Sequence, residues 1–248
     1  MSSVFADQAR RFSDELAATL SAFTGKAVNC ELKRLEDRFI ITEEDAQGVP
    51  LPIRDDNGLS VSIVYKCEQD SQRAFLAVRE SSIKVHGSLK PGKDPLFRYE
   101  YEDGKSGGLP SAHLHVHAHR DQMSLLLGIA GLNGGRARAS LKKPASAGRM
   151  STLHFPVGGP RFRPALEDVL QMVSTEFGIK PGSEWSKVLV NSRIRYRRSQ
   201  TAAVIRDCPA EAVRVLETLG LKVVDAAGER VLPEGLRDLE KTSRLREV

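Results

Sequence analysis

Apolar residues near the start of the chain recur at steps of three and four positions. This spacing is typical of one face of an α-helix. Gly25 follows the last of them, and glycine commonly ends a helix. We therefore predict an amphipathic helix over residues 4–23, with an apolar face formed by Phe5, Ala9, Phe12, Leu16, Leu20 and Phe23.

Between about residues 37 and 119 the helical period gives way to alternation. The segments with alternating or β-branched character are DRFIIT, LSVSIVYKC, AFLAVRESSIKVHG, PLFRYEYED and SAHLHVHAH. Turn-forming stretches separate them, namely QGVPLP, DDNG, KPGKDP and DGKSGGLP. Because these strands follow one another closely with no helix between them, they predict an antiparallel meander.

Helical spacing returns after residue 120. Residues 121–132 predict a helix that stops at the following Asn-Gly-Gly. Residues 134–149 hold five basic residues among glycine, alanine, serine and proline, with little to bury, so we predict a basic flexible loop. A further helix is expected from about Pro164, with an apolar face formed by Leu166, Val169, Leu170 and Val173.

The last third of the chain is also predominantly helical. Residues 184–207 predict a helix that is either continuous or broken near Asn191. A third helix is expected over residues 209–219, since Pro209 suits a first turn and Gly220 suits a C-cap. The segment LKVVDA predicts a short strand, and a charged tail follows it.

Together these elements predict an α+β fold. It has an N-terminal helix, an antiparallel β-meander covered by helices on one face, and a helical C-terminal third. We expect an antiparallel-sheet domain at 1–133 and the basic flexible loop at 134–149. The mainly helical region at 150–248 either packs on the same sheet or forms a separate domain.

Composition places the chain among ordinary globular proteins, with 40% hydrophobic and 28% charged residues. No apolar run approaches the roughly 18 residues of a membrane span, so we expect no membrane partner. The N-terminus lacks the continuous apolar core of a signal peptide. Three cysteines are present without a CxxC pair, which favours reduced thiols and a cytoplasmic location.

Four of the six histidines occupy every second position of one segment, HLHVHAH. In a strand, alternate side chains point to the same face, so these imidazoles should line one side of a sheet. Leu114 and Val116 would then line the other side. The four histidines are His113, His115, His117 and His119.

The preceding strand alternates as well, with aromatic residues at odd positions and charged residues at even positions from Phe97 to Glu102. If the two strands form a hairpin, consistent burial pairs the aromatic residues with Leu114 and Val116. The opposite face would then combine the histidines with the charged residues. We therefore predict a mixed patch that contains the histidines together with Arg98, Glu100 and Glu102.

Three interpretations of this patch stay open. The first is a solvated polar face, which antiparallel sheets commonly have. The second is a metal site, in which His113, His115 and Glu100 hold zinc or another divalent ion as a cofactor. A bound ion would bring the pKa of its water toward about 7, and Glu100 would serve as ligand or base in phosphoester hydrolysis.

The third interpretation is nucleotide chemistry. HLHVHAH is similar to the histidine triad motif, in which alternating histidines on a strand bind and attack phosphate. That similarity implies His115 or His117 as the nucleophile. The sequence departs from the motif at His119, where an apolar residue is expected, and it lacks the upstream asparagine. Across the interpretations, the candidate catalytic residues are His115, His117 and Glu100.

Basic residues suggest a second kind of site. The net charge is +5, and arginines lie in VGGPRFRP and in RIRYRRSQ. Neutralising phosphates releases counterions, so such arginines favour binding to nucleic acid or a nucleotide. No helix-turn-helix spacing, RNP-like aromatic pattern or zinc finger indicates sequence-specific recognition. The candidate anion-binding residues are Arg161, Arg163, Arg193, Arg197 and Arg198.

Three segments together resemble an uncharacterised bacterial protein family of similar length. They are FRYEYEDGKSGGLPSAHLHVHAHRDQ, LHFPVGGPRFRPALEDVL and RRSQTAAVIRDCPAEAVRVLETLG. The resemblance covers most of the chain from residue 50 onward. No activity is assigned to that family, so the resemblance implies a bacterial protein and supplies no catalytic residue.

The leading hypothesis from the sequence is a cytoplasmic protein that binds an anionic partner, nucleic acid or a nucleotide, through its basic segments. One alternative is a metal-dependent phosphoester hydrolase that uses the histidine strand. Another is a module that binds a protein partner. The sequence alone leaves the choice between an enzyme and a binding protein open.

Overall fold

A computed structural model describes residues 3–44, 48–70, 74–92, 94–103, 111–117, 120–133 and 163–240. The chain forms two compact units, Met1–Arg193 and Ile194–Val248. The first unit contains an N-terminal helix, an antiparallel sheet and further helices, which confirms the predicted α+β class. The second unit is helical in its described part.

The sheet has seven strands, preceded by helix α1 at Ser3–Thr24. The strands are β1 (Cys30–Leu35), β2 (Arg38–Glu43), β3 (Val49–Arg54), β4 (Asn57–Gln69), β5 (Leu76–His86), β6 (Phe97–Glu102) and β7 (Ala112–Val116). The later helices are α2 (Arg120–Asn133), α3 (Leu166–Phe177), α4 (Trp185–Asp207), α5 (Pro209–Thr218) and a 3-10 helix at Pro233–Leu239.

Every strand pair in the sheet is antiparallel, and the strand order is β1-β2-β4-β5-β6-β7, with β3 also paired to β4. Strands β4 to β7 follow one another as a meander, as the alternation predicts. On the other side of β4, β2 pairs with its C-terminal half and β3 with its N-terminal half.

A buried carboxylate lies where β4 changes partner. Strand β4 pairs with β2 as far as Val64 and with β3 from Val61, and Ile63 lies between these two paired stretches. Its backbone N–H donates a 2.7 Å hydrogen bond to Oε2 of Glu43. Burial raises the pKa of the Glu43 carboxyl, because removal from water disfavours the charged form. Hydrogen bonds from Ile63 and Ser62 and the charge of Lys84 act in the opposite direction on that pKa.

The core of the first unit lies between one face of the sheet and the helices. Phe5 and Phe12 of α1 contact Phe39 and Tyr65 edge to face, with ring centroids 5.1 and 5.3 Å apart. Such aromatic pairs add to the stabilisation that area burial already provides. The predicted apolar face of α3 is fully buried in the same cluster, at Leu166, Val169, Leu170 and Val173.

Several helix predictions are confirmed, including the helix ends. Gly25 follows α1 with a φ of 68°, and Gly220 follows α5 with a φ of 81°, the left-handed region that glycine adopts at low cost. Helix α2 occupies the predicted span. Helix α4 is continuous from Trp185 to Asp207, so the predicted alternative of a break near Asn191 is wrong.

Three features of the structure differ from the sequence predictions. Strand β1 is not predicted, because three of the six residues in CELKRL are charged and the strand shows little burial contrast. Strand β3 lies in a stretch predicted as a turn because it contains Pro50 and Pro52. The LKVVDA segment forms no strand, since only the isolated bridge of Val224 with Arg230 occurs there.

Strand β3 tolerates its prolines because of where they sit. Pro50 and Pro52 are exposed, while Val49 and Leu51 are buried, so the strand keeps its alternation. A proline has no N–H, and within a sheet it is accepted where that group would not bond the neighbouring strand.

Part of the predicted organisation lies outside the described residues. This applies to the basic loop at 134–149, to Arg161 and to His119. Among the helices that the structure does describe, none combines the length and the apolar character needed to cross a bilayer.

Candidate functional site

The β6–β7 hairpin has the register that the alternation predicts. Phe97 and Tyr99 face the buried side, where they pair with Val116 and Leu114. On the opposite face, charged residues of β6 pair with histidines of β7. The facing pairs are Phe97 with Val116, Tyr99 with Leu114, Arg98 with His115 and Glu100 with His113.

Three polar side chains converge on that opposite face, and we call them the His–Glu cluster: Glu100, His113 and His115. Glu100 Oε2 lies 3.4 Å from His113 Nε2 and 3.3 Å from His115 Nε2. One ligand atom from each residue falls within 4.8 Å of the other two, so the cluster could hold a metal ion. Ligands about 2.05 Å from a tetrahedral ion lie about 3.3 Å apart, which agrees with both distances.

The cluster is deeper at one end than at the other. The side chain of His113 is 11% exposed, that of Glu100 is 25% exposed and that of His115 is 40% exposed. The imidazole rings of His113 and His115 meet edge to face, with centroids 4.7 Å apart. The arrangement therefore opens toward solvent at His115, where a water molecule or a substrate atom can approach.

The electrostatic environment favours neutral His115. Burial lowers the pKa of its imidazole, and the positive charge of Arg98 lowers it further. Glu100 raises the same pKa, whereas His113 and His117 lower it. Neutral imidazole is the form that binds metals, because protonation occupies the lone pair.

His117 continues the row of imidazoles just beyond β7. Its backbone N–H donates a 2.8 Å hydrogen bond to the carbonyl of Leu96, which extends the hairpin contact by one residue. Its ring centroid is 5.8 Å from that of His115. His117 is exposed and is not one of the three residues whose ligand atoms lie within 4.8 Å of one another, so its predicted catalytic role stays a prediction.

Basic side chains border the cluster. Arg98 Nε lies 3.1 Å from Glu100 Oε2, the same oxygen that both histidines approach. On the next strand, Lys84 pairs with Arg98 and Ser82 pairs with Glu100. The sequence prediction missed Ser82 and Lys84. The alternation of SSIKVH places both residues on one face of a strand, but their position beside the cluster also depends on the register of β5 with β6.

The predicted anion-binding arginines have different environments. Arg163 lies over the ring of Tyr101, with its guanidinium carbon 4.4 Å from the centroid. Arg193 donates through Nε and Nη2 to Asp168 Oδ1, at 3.0 and 2.8 Å, and also contacts Gln171.

The other two described arginines of that set lie in the second unit. Arg197 and Arg198 line a shallow groove on α4 with Ile194, Thr201, Ala202 and Ile205. Neither Arg197 nor Arg198 forms an ion pair with the residues that the structure describes. Anion binding by these arginines stays a prediction.

No protein-family model, curated protein or solved structure matches the chain. The resemblance to an uncharacterised bacterial family therefore stays a prediction.

Proposed function

We propose that the protein binds a divalent metal ion, zinc in the first place, at Glu100, His113 and His115, and uses it to hydrolyse a phosphoester. One observation carries the proposal. The carboxylate oxygen of Glu100 lies 3.3 and 3.4 Å from two imidazole nitrogens, the spacing of ligands around a tetrahedral ion.

The ligand set supports this chemistry. Two histidines and one glutamate, with a fourth position open to solvent, are typical of catalytic zinc sites, whereas structural zinc sites use four protein ligands. The greater exposure of His115 leaves room for that fourth position.

The reaction follows from the properties of such an ion. An ion held by Glu100, His113 and His115 would lower the pKa of a bound water to about 7 and so supply a nucleophile near neutral pH. Hydrolysis would form a bond from the water oxygen to phosphorus and break the bond between phosphorus and the leaving alcohol oxygen. That oxygen takes a proton from solvent, so the net change is addition of one water to the ester.

The first experiment is elemental mass spectrometry of tag-free protein. We expect near-stoichiometric metal in the natural chain and loss of the metal in His113→Ala/His115→Ala. His117→Ala is the matched control, because it removes an imidazole from the same row but outside the His–Glu cluster. A natural chain that holds no metal even after zinc is added back would overturn the proposal.

The second experiment tests the reaction on an aryl phosphate. A chelator should abolish hydrolysis and zinc should restore it. The His115→Ala variant should lose about 10²-fold or more in rate, because an ion held by fewer ligands dissociates or loses its geometry. Full activity in His115→Ala would contradict the assignment of the reaction to this site.

A second candidate function is binding of nucleic acid by α4. The observation that favours it is the placement of Arg197 and Arg198 side by side on one groove. Fluorescence anisotropy at low and moderate salt tests it, because phosphate contacts weaken as salt rises. Arg197→Gln/Arg198→Gln should reduce the affinity at low salt. Arg214→Gln/Arg230→Gln is the charge-matched control, since Arg214 pairs with Glu211 and Arg230 pairs with Glu217. Absence of binding at both salt concentrations would remove this candidate.

A further inference from the structure

We infer that Lys84 and Arg98 form an anion subsite beside the His–Glu cluster, which binds the phosphate group of the substrate. The inference rests on the proposed function, because it assigns the substrate-binding residues of the same site. It extends that function from the ligands of the ion to recognition of the substrate.

The register places these cations in one row. Lys84 of β5 is the partner of Arg98 of β6, and Arg98 is the partner of His115 of β7. Side chains of directly paired residues leave the same face, with their Cβ atoms about 4.5–5.5 Å apart. Two cations and a metal-ligating imidazole therefore stand next to one another across three adjacent strands.

Such a row is unfavourable without an anion. Like charges directly opposite one another on a sheet destabilise it. Arg98 is offset by Glu100, at 3.1 Å. The charge of Lys84 lowers the pKa of the Glu43 carboxyl, but Lys84 forms no ion pair within 4.0 Å among the residues that the structure describes. A divalent ion would add two positive charges beside the single negative charge of Glu100. A phosphate dianion supplies the charge that balances this patch.

The distances allow one phosphate oxygen to contact both the ion and Arg98. An ion about 2.05 Å from Glu100 Oε2 would lie at most about 5.2 Å from Arg98 Nε, because that nitrogen is 3.1 Å from the same oxygen. An oxygen bound to the ion at about 2.1 Å and accepting an N–H at about 2.9 Å spans up to about 5.0 Å. The guanidinium is therefore within reach of a metal-bound oxygen wherever the ion, Glu100 Oε2 and Arg98 Nε do not lie nearly in a straight line.

The two side chains suit complementary parts of a phosphate. The planar guanidinium of Arg98 presents paired donors that match two phosphate oxygens, whereas the ammonium of Lys84 acts as a compact charge. Lys84 lies one strand farther from the ion than Arg98 does. This order predicts that Arg98 binds oxygens close to the ion and that Lys84 binds an outer oxygen.

The test measures inorganic phosphate binding by calorimetry, on protein loaded with zinc and on metal-free protein. Lys84→Gln and Arg98→Gln should each weaken binding to the zinc-loaded protein by about tenfold or more, the loss of a charged hydrogen bond. The matched control is Lys66→Gln, which removes the same charge from the same sheet face. Lys66 is paired with Glu80 there and should bind phosphate as the natural chain does.

Zinc content separates the subsite from a merely structural role for Arg98. Arg98→Gln removes a cation that competes for Glu100 Oε2, so we expect this variant to bind zinc at least as tightly as the natural chain does. Loss of phosphate affinity together with retained zinc is the result expected of a subsite. Thermal melting of each variant checks that it is folded.

The outcomes distinguish failure of the subsite from failure of the proposed function. If zinc binds but both variants bind phosphate as the natural chain does, the subsite is wrong and the metal site stands. If no zinc binds, the proposed function is wrong. If metal-free protein nevertheless binds phosphate and the variants do not, Lys84 and Arg98 form an anion site that needs no metal. Absence of phosphate binding to the natural chain at millimolar concentration would overturn the subsite in either case.

Discussion

The β6–β7 hairpin and helix α4 each contain a run of chargeable side chains that the sequence singles out. The two runs differ in whether their side chains come together in the structure. In the hairpin, Glu100, His113 and His115 come together with ligand atoms within 4.8 Å. On α4, Arg193 turns to Asp168, whereas Arg197 lies on a groove of the second unit. The chargeable side chains of the hairpin therefore converge on one oxygen, whereas Arg193 and Arg197 of α4 have different environments.

The difference has a physical cause. A strand side chain points to one of only two faces, and a slip of one residue would exchange the buried and exposed faces of the strand. Burial of Tyr99 therefore determines which side chains of the hairpin share a face. A helix residue points along one of many directions around the axis, and its partner depends on which element packs there. Asp168, the partner of Arg193, is 25 residues away in the sequence.

The largest effect should come from removing the buried support of the hairpin. Phe97 is fully buried and contacts Tyr99, so Phe97→Ala should lower the free energy of unfolding by about 3–5 kcal/mol. Its partner Val116 is 41% exposed, and Val116→Ala should cost only about 0.5–1 kcal/mol. Urea denaturation measures both, and equal costs would contradict the view that the core face fixes the register.

The next largest effect should be a difference in unfolding free energy between variants of two arginines of α4, Arg193 and Arg197. Arg193→Ala leaves the half-buried carboxylate of Asp168 without its main donor, and should cost about 1–3 kcal/mol in the free energy of unfolding. Arg197→Ala removes the same group where no ion pair with a described residue is lost, and should stay within about 0.5 kcal/mol. If Arg197→Ala lowered the free energy of unfolding as much as Arg193→Ala does, the ion pair with Asp168 would not explain the cost of losing Arg193.

The smallest effect concerns Glu43, a charged residue at a position of β2 that is buried. The pKa of Glu43 is raised in the folded protein, so this group makes the fold less stable as pH rises through that pKa and more stable as pH falls through it. Glu43→Gln keeps an acceptor for the Ile63 N–H but never ionises. Its melting temperature, relative to that of the natural chain, should therefore be higher at pH 8 than at pH 4.

The control for this experiment is Glu44→Gln, which removes the same charge from the exposed neighbouring position. If the two variants change with pH in the same way, burial of Glu43 is not the cause of the effect.

Much of the fold was predictable because its patterns are local. Helix α1 follows from the spacing of Phe5 to Phe23, and the polar face of the hairpin follows from strict alternation. The sequence did not indicate Asp168 as the partner of Arg193, since the position of α3 against α4 depends on packing. Lys84 was missed for another reason, because its place beside the cluster requires the register of β5 with β6.

Strand β3 shows a limit of a different kind, since proline is a signal for turns and also an accepted residue at a sheet edge. Both of its prolines were counted as turn residues. The buried Val49 and Leu51, which alternate with the prolines, are the residues that indicate a strand.

The two prolines of β3 also bear on self-association. An unpaired strand edge offers N–H and C=O groups on which another extended chain can add, and this is a common start of aggregation. Pro50 and Pro52 remove two of those donors, and no described strand pairs with β3 other than β4. This edge is a poor template for strand addition, so the sheet is protected there against growth into fibrils.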